Sequence, residues 1–400
     1  MNTQNKRIRW LYLAIGTAAL LFAGIIYGWS VLKAPLAAEF GWTASALSLN
    51  FTFTMCFFCV GGIVGGMLSA RLGFRLTCII SAILAGSGFA LSAAMDDSII
   101  VLYISYGLMG GLGIGMAYNA VISTVSMWFP DKKGLCSGVL MMGFGASTLI
   151  LGKLADSMIS TPEMGWRTAF RIIGIALGIV ILIAGTIIKR PEQVGASKKA
   201  VPEDDGKSYT AVKMLKSAAF RKAFILLVFL VAVGNTVISM AKDLAISVGI
   251  AATAATTLVG VLSVCNGLGR VITGAVFDKY GRRTTMLGAN IVTICAAFII
   301  LAAVLTDSAV LCVAGLCLAG LSYGTCPTIS SAFTSEVFGP KHFAVNFSIM
   351  NCNLIFASFI ATGSSLIFSA TGGYGTSFIL LLGLSIIALF INIGLEGRRA

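Results

Sequence analysis

Twelve long apolar runs, separated by short polar connections, make up most of the chain. They lie near Trp10–Leu32, Ala44–Leu68, Thr77–Ala94, Ile99–Trp128, Leu135–Leu154, Ala169–Ile188, Ala223–Met240, Ala252–Phe277, Thr285–Leu305, Ala309–Ala332, Val345–Phe368 and Gly375–Leu395. A helix needs about 20 mostly apolar residues to cross a bilayer, and each run approaches or exceeds that length. The pattern predicts an all-α multi-span membrane protein with twelve transmembrane helices. The Ile99–Trp128 run is long enough to tilt or to extend past the interface. The first run exceeds the ~7–15 residues of a signal-peptide core and has no small-residue cleavage site after it, so it reads as the first span.

One connection differs from the others. Residues 189–222 are rich in Lys, Glu, Asp, Ser and Pro and divide the chain six spans from six. The expected organisation is an N-terminal six-helix bundle over 1–188, a linker over 189–222 and a C-terminal six-helix bundle over 223–400. Within the linker, Thr210–Lys222 has the composition of a basic amphipathic helix lying on the inner membrane surface.

Composition strengthens this picture. Of 400 residues, 58% are hydrophobic and 11% charged, and the mean hydropathy is +0.96. Soluble domains carry about 25% charged residues, so too little polar material exists here to clothe a water-facing surface. That excludes a soluble enzyme, a nucleic-acid-binding domain and a disordered chain. The net charge of +13 would suggest nucleic acid in a soluble protein, but in a membrane protein basic residues collect in cytoplasmic loops. With both termini inside, 22 of the 28 Lys and Arg residues fall in cytoplasmic segments, while Arg167 and Arg171 mark an outer loop. The expectation is a multi-pass protein of the plasma (inner) membrane with both termini cytoplasmic, its partners the lipid bilayer and a small solute, and its state monomeric.

Several chemistries lack the residues they need. The ten Cys fall within runs or at their ends, and the Cys56/Cys59 pair sits on an apolar helix with no His or acid beside it. The one His, His342, is in a loop. No metal site, cofactor or catalytic triad is expected, and the chain does not read as an enzyme. There is no Gly-x-x-x-x-Gly-Lys-Ser/Thr run for an ATP-driven pump.

Two loops repeat 208 positions apart: Gly66-Met-Leu-Ser-Ala70-Arg71-Leu-Gly73-Phe-Arg75 and Gly274-Ala-Val-Phe-Asp278-Lys279-Tyr-Gly281-Arg282-Arg283. Repeated halves are the usual build of secondary transporters. The second loop matches G-x-x-x-D-(R/K)-x-G-R-(R/K) fully and resembles the signature loop of the major facilitator superfamily, implying its fold of two six-helix halves. The resemblance implies a cytoplasmic latch built from Gly274, Asp278, Lys279, Gly281, Arg282 and Arg283. Asp278 has the chemistry to accept bonds from Arg residues and from backbone donors at a helix N-terminus. The first copy carries Ala70 in place of the acid and leaves Arg71 and Arg75 to act alone. The alternative reading makes all these charges simple cytoplasmic anchors. Further runs narrow the resemblance. Tyr27-Gly-Trp29, Gly111-Leu-Gly113-Ile-Gly115-Met-Ala-Tyr118 and Trp128-Phe-Pro130-Asp131-Lys132-Lys133-Gly134 are similar to the oxalate:formate antiporter family, a branch related to the monocarboxylate transporters.

Arg270 is the candidate of greatest weight. It lies eight residues before Asp278, roughly 12 Å along the helix and near mid-membrane. A charge there is expensive and usually marks a substrate path, and a guanidinium suits a carboxylate. A buried structural ion pair is the alternative. The resemblance also places a substrate-binding Arg here, in the context Asn266-Gly-Leu-Gly-Arg270. It pairs that Arg with a Lys on the eleventh span, whose position here is Leu354. With one cation instead of two, monocarboxylates of the formate, lactate or pyruvate type suit the site better than oxalate. Tyr118 and Tyr323 occupy spans whose Tyr residues line the site in that family. Asn119, Asn351 and Asn353 offer amide donors, Tyr27 is placed to cap the site, and Lys33 offers a second cation or snorkels to the interface. Asp243 is the candidate for carrying a coupled proton, with the outer interface as its alternative setting. The expected function is a secondary carrier of small carboxylates working by alternating access, as proton symport or anion exchange. The alternatives are an exporter of larger amphipathic compounds and a non-transporting carboxylate sensor on the same fold. The Gly61–Gly66 and Gly107–Gly115 stretches predict close helix contact.

Overall fold

The computed structural model describes residues 3–191 and 208–395. The middle of the linker and the C-terminal Arg398 and Arg399 lie outside those residues. The described chain is helical: α1 (Thr3–Ala23), α2 (Trp29–Phe40), α3 (Ala44–Arg71), α4 (Phe74–Ala94), α5 (Ile99–Leu102), α6 (Gly111–Ser126), α7 (Lys133–Ser147), α8 (Lys153–Ser160), α9 (Gly165–Ile187), α10 (Ala211–Lys216), α11 (Ala218–Ser247), α12 (Ala252–Leu305), α13 (Ala309–Phe338), α14 (Phe343–Asn351), α15 (Asn353–Thr371) and α16 (Tyr374–Ile393). A 3-10 turn over Gly24–Gly28 joins α1 to α2, and π-helical stretches over Tyr103–Gly110 and Thr148–Gly152 join α5 to α6 and α7 to α8.

Eleven helical stretches of the described chain are long and apolar enough to cross a membrane. One of them, Thr257–Leu305, runs 49 residues, about 74 Å of helix and far more than a ~30 Å hydrocarbon core requires. It bends at Gly281, whose φ of 77° and ψ of 176° lie outside the helical region and favour a residue without Cβ. The bend separates the eighth and ninth spans, so twelve crossings result. The seventh span differs from its expected end. The apolar run stops near Met240, yet α11 continues to Ser247 and carries Lys242 and Asp243, both exposed, on its last two turns.

The chain forms two compact units. The first comprises Met1–Asp131, Val139–Ser208 and Gly339–Ile349, and the second Lys132–Gly138, Tyr209–Phe338 and Met350–Ala400. In the first unit α3 packs on α6 and α4 on α9. The α3–α6 contact is backbone against backbone. A Cβ on Gly115 would collide with the Phe58 carbonyl, and one on Gly61 with the carbonyl of Leu112. The small-residue stretches thus sit where close approach was expected. Ser81 Oγ donates to Gly113 O at 2.6 Å and ties α4 to the same contact. In the second unit α12 packs on α13 and α16, and α11 on α15. Much of its core comes from Val233, Val237, Leu244, Ile300, Leu316, Phe378 and Leu381.

Candidate functional site

Arg270 sits inside the second unit, on the eighth span, and is 1% exposed. Its helix is held from several sides. Gly324 of α13 lies against the Asn266 carbonyl, and Gly138 of α7 against that of Arg270, at separations that admit no Cβ. Thr328 Oγ1 donates to Arg270 O at 3.2 Å. The side chain is oriented from one turn below: Arg270 Nε donates to Asn266 Oδ1 at 3.2 Å. The Asn-Gly-x-x-Arg spacing therefore has a mechanical meaning. Residues four apart share a helix face, and the amide fixes the guanidinium through Nε. The two Gly-rich positions around it let neighbouring helices close in.

Tyr323 is 4% exposed and lies in the same unit, its ring seated against the bare backbone of Gly234 on α11. Asn351 and Asn353 flank the break between α14 and α15. Asn351 Oδ1 accepts from Ser330 Oγ at 3.2 Å, and Asn353 Nδ2 donates to Met350 O at 2.6 Å. Both amides therefore support the break between the two helices. Leu354 follows it and is half-buried.

Tyr27, Lys33, Tyr118 and Asn119 lie in the first unit, where the two Tyr residues join an aromatic cluster. Tyr118 makes edge contacts with Phe58 and Phe144 at centroid distances of 5.1 and 5.0 Å and stacks on Phe347 at 6.2 Å. Tyr27 meets Phe144 edge-on at 5.2 Å. Asn119 Nδ2 donates to Ala344 O at 2.7 Å and to Ser348 Oγ, so this amide grips the start of α14. Sequence reasoning missed Ser348, whose role depends on a partner 229 positions away. Lys33 is half-buried on α2. The structure thus gathers Tyr27, Tyr118 and Asn119 in one unit, and Arg270, Tyr323, Asn351 and Asn353 in the other.

The signature loop is also built in the second unit. Asp278 accepts from Gly134 N at 2.9 Å and from Leu135 N at 2.8 Å, and so caps the first turn of α7. Gly134 and Gly274 face each other with no room for a Cβ on either, which brings the carboxylate within reach. Arg282 Nε approaches Glu336 at 4.0 Å and lies over the Phe333 ring. Lys279 covers Tyr280. Gly281 supplies the bend, and Arg283 follows it. Arg71 ends α3, and Arg75 opens α4 with an exposed side chain.

The Trp-Phe-Pro-Asp run is structural. Asp131 pairs with Arg9 at 2.8 Å, and Arg9 lies over Phe129 at 5.0 Å. Trp128 Nε1 donates to Lys189 O at 2.8 Å, and its ring meets Tyr12. Nothing in the sequence connected Arg9 to Asp131, which lies 122 positions on. At the opposite end of the first unit, Glu39 accepts from Trp166 Nε1 and pairs with Arg167 at 2.6 Å. Asp243 is exposed and stands near Tyr374.

Membrane-spanning helices in two units, a buried cation on one of them and a capping acid at a helix end define the class: a multi-pass membrane transporter. The family model of the Major Facilitator Superfamily matches residues 11–241 and 224–398, and the chain belongs to that superfamily. It is similar to the oxalate:formate antiporter of Oxalobacter formigenes, at 28% identity over 384 residues covering 95% of this chain and 90% of that one. It is also similar to an uncharacterized MFS-type transporter of Escherichia coli (strain K12), at 29% identity over 86% of this chain and 84% of that one. Monocarboxylate transporter 12 of Mus musculus is 26% identical over 61% of this chain and 54% of its own length. Among solved structures, the proton:xylose symporter XylE superposes with a TM-score of 0.79 at 16% identity, covering 98% of this chain and 96% of its own. The transporter FucP in its outward conformation gives 0.73 at 14% identity, covering 98% and 100%. The chain is therefore a major facilitator transporter and not an enzyme.

Proposed function

We propose that this protein carries small monocarboxylates across the membrane, with Arg270 as the carboxylate-binding residue. The observation that carries the proposal is a guanidinium 1% exposed on a membrane-spanning helix and steered through Nε by a neutral amide. Held in that way, the terminal nitrogens form a fork suited to two carboxylate oxygens. The similarity to a protein named as an oxalate:formate antiporter supports a carboxylate cargo. Leu354, where that family carries a second cation, favours one negative charge over two. The two six-span halves, 1–188 and 223–400, alternate access to the site, and the Asp278 cap on α7 is the cytoplasmic latch. Orientation follows the basic residues, with both termini cytoplasmic. Transport proceeds as proton symport or as anion exchange, with Asp243 the residue to test for a coupled proton.

The experiment is reconstitution in liposomes with labelled formate, acetate, lactate, pyruvate and oxalate, with and without a pH gradient, beside Arg270→Gln. Removing one partner of a buried charge pair costs about 2–5 kcal/mol, so carboxylate uptake should fall roughly 30-fold or more. Uptake unchanged in Arg270→Gln removes this residue from the site. Strong oxalate exchange overturns the reading of Leu354. Binding without flux would favour a sensor, and flux of bulky neutral compounds independent of Arg270 an exporter.

A further inference from the structure

The short helix α10 immediately precedes the seventh span and is fixed to the second unit. Tyr209 N donates to Phe338 O at 2.9 Å, and the Tyr209 ring meets that of Phe338 edge-on at 5.5 Å. Thr210 caps the helix, accepting from Lys213 N, and Met214 is fully buried. At the other end Arg221 Nη1 donates to Lys216 O at 2.9 Å, and Ser217 makes the single-residue turn into α11 while capping it. A six-residue helix has little stability of its own, so these attachments hold it.

What α10 presents outward is two-sided. Val212 is 62% exposed and Leu215 45%, and Lys213 and Lys216 are exposed as well. At 100° per residue the outward arc runs Leu215, Val212, Lys216, Lys213, with two apolar residues along one side and two cations along the other. Apolar side chains exposed on the spans face acyl chains. Val212 and Leu215 lie outside the span that begins at Ala218 and need another apolar neighbour. Arg221 and Lys222 follow directly, so the cations cluster where the chain enters the bilayer.

The geometry points to α10 as a docking face for the anionic lipid headgroups beside the seventh span, with Lys213 and Lys216 on the phosphates and Val212 and Leu215 set into the acyl boundary. Charge complementarity selects this occupant. A basic, half-apolar helix tethered one residue from a span fits a negatively charged interface. This inference is independent of the transported substrate.

The test is hydrogen–deuterium exchange of the 209–217 segment in the full chain, in nanodiscs of phosphatidylcholine alone or mixed with phosphatidylglycerol. Phosphatidylglycerol should slow exchange there and leave the α12 segments unchanged. Each lysine near an anionic surface is worth roughly fivefold, so Lys213→Gln with Lys216→Gln should lose about 25-fold of the added protection. The corresponding pair of Arg substitutions should keep it. Equal exchange in both lipids overturns the inference. So does protection that survives the Gln pair. Protection by a soluble acidic peptide but not by phosphatidylglycerol would assign the face to a protein partner and overturn it as well.

Discussion

Replacing Asp278 with Asn isolates the charge from the shape of the signature loop. In the native protein both carboxylate oxygens accept from the backbone, from Gly134 N and from Leu135 N, at a helix N-terminus. The amide keeps one acceptor and turns an NH2 toward the other N–H, so one bond is lost and two donors face each other. A side-chain cap is worth about 0.5–2 kcal/mol, and a negative charge at the first turn about 0.3–1 kcal/mol more. Asp278 is exposed, and the Leu135 bond is solvent-facing, which places the sum at the lower end, about 1–2 kcal/mol. The opening equilibrium of the first turn of α7 should shift roughly five- to thirty-fold. Hydrogen exchange at the amides of Gly134 and Leu135 reads this directly, since these are the donors. The repeated loop supplies the reciprocal experiment. Gly66 lies against Ala344 and Val345 at the start of α14 as Gly274 lies against Gly134, and four residues on stands the exposed Ala70. Ala70→Asp should add a cap there and slow exchange at the opening amides of α14. If Asp278→Asn leaves Gly134 and Leu135 exchanging at the native rate, the cap contributes nothing and the latch cannot rest on it.

Two other perturbations probe the frame around the site. Gly115→Ala drives a Cβ into the Phe58 carbonyl at the α3–α6 contact, and because the obstacle is backbone the helices must separate; a loss of about 1–3 kcal/mol is expected as a lowered Tm, whereas Gly288→Ala, with open space around it, should not lower it. The Arg9–Asp131 pair joins a side chain 10% exposed to one 48% exposed, so a double-mutant cycle of Arg9→Gln and Asp131→Asn, measured by thermal unfolding, should return a coupling of about 1 kcal/mol, and zero coupling would show the pair to be incidental.

The features legible in the sequence are those encoded locally. Twelve apolar runs give the crossings, because hydropathy over about 20 residues is all that a bilayer demands. Asp278 was legible from its loop, and Arg270 from a single charge within an apolar run. The ends of helices were harder wherever charges interrupt hydropathy without interrupting hydrogen bonding. Lys242 and Asp243 close the apolar run at Met240, yet α11 needs only continued i to i−4 bonds and continues to Ser247. The π-helical stretch over Tyr103–Gly110 is invisible for the opposite reason, since widening the backbone turn leaves every residue as apolar as before. Pairings across long separations were also hidden. Nothing near Asn119 announces Ala344 or Ser348, and nothing near Asp131 announces Arg9.

These hidden pairings change what the polar residues of the spans can be doing. Amides within an apolar run look alike in the sequence, all candidates to meet a solute. In the structure Asn119 grips α14, Asn353 donates to Met350 O at the end of α14, Asn351 accepts from Ser330, and Asn266 steers Arg270. Each therefore already has work inside the protein, and an amide committed to such a bond gives it up to a ligand only at a cost of about 1–3 kcal/mol. A cation differs, because a guanidinium buried in a membrane-spanning helix carries a charge that the neutral Asn266 amide does not balance. That asymmetry between bonded amides and a buried charge is why the substrate proposal rests on Arg270.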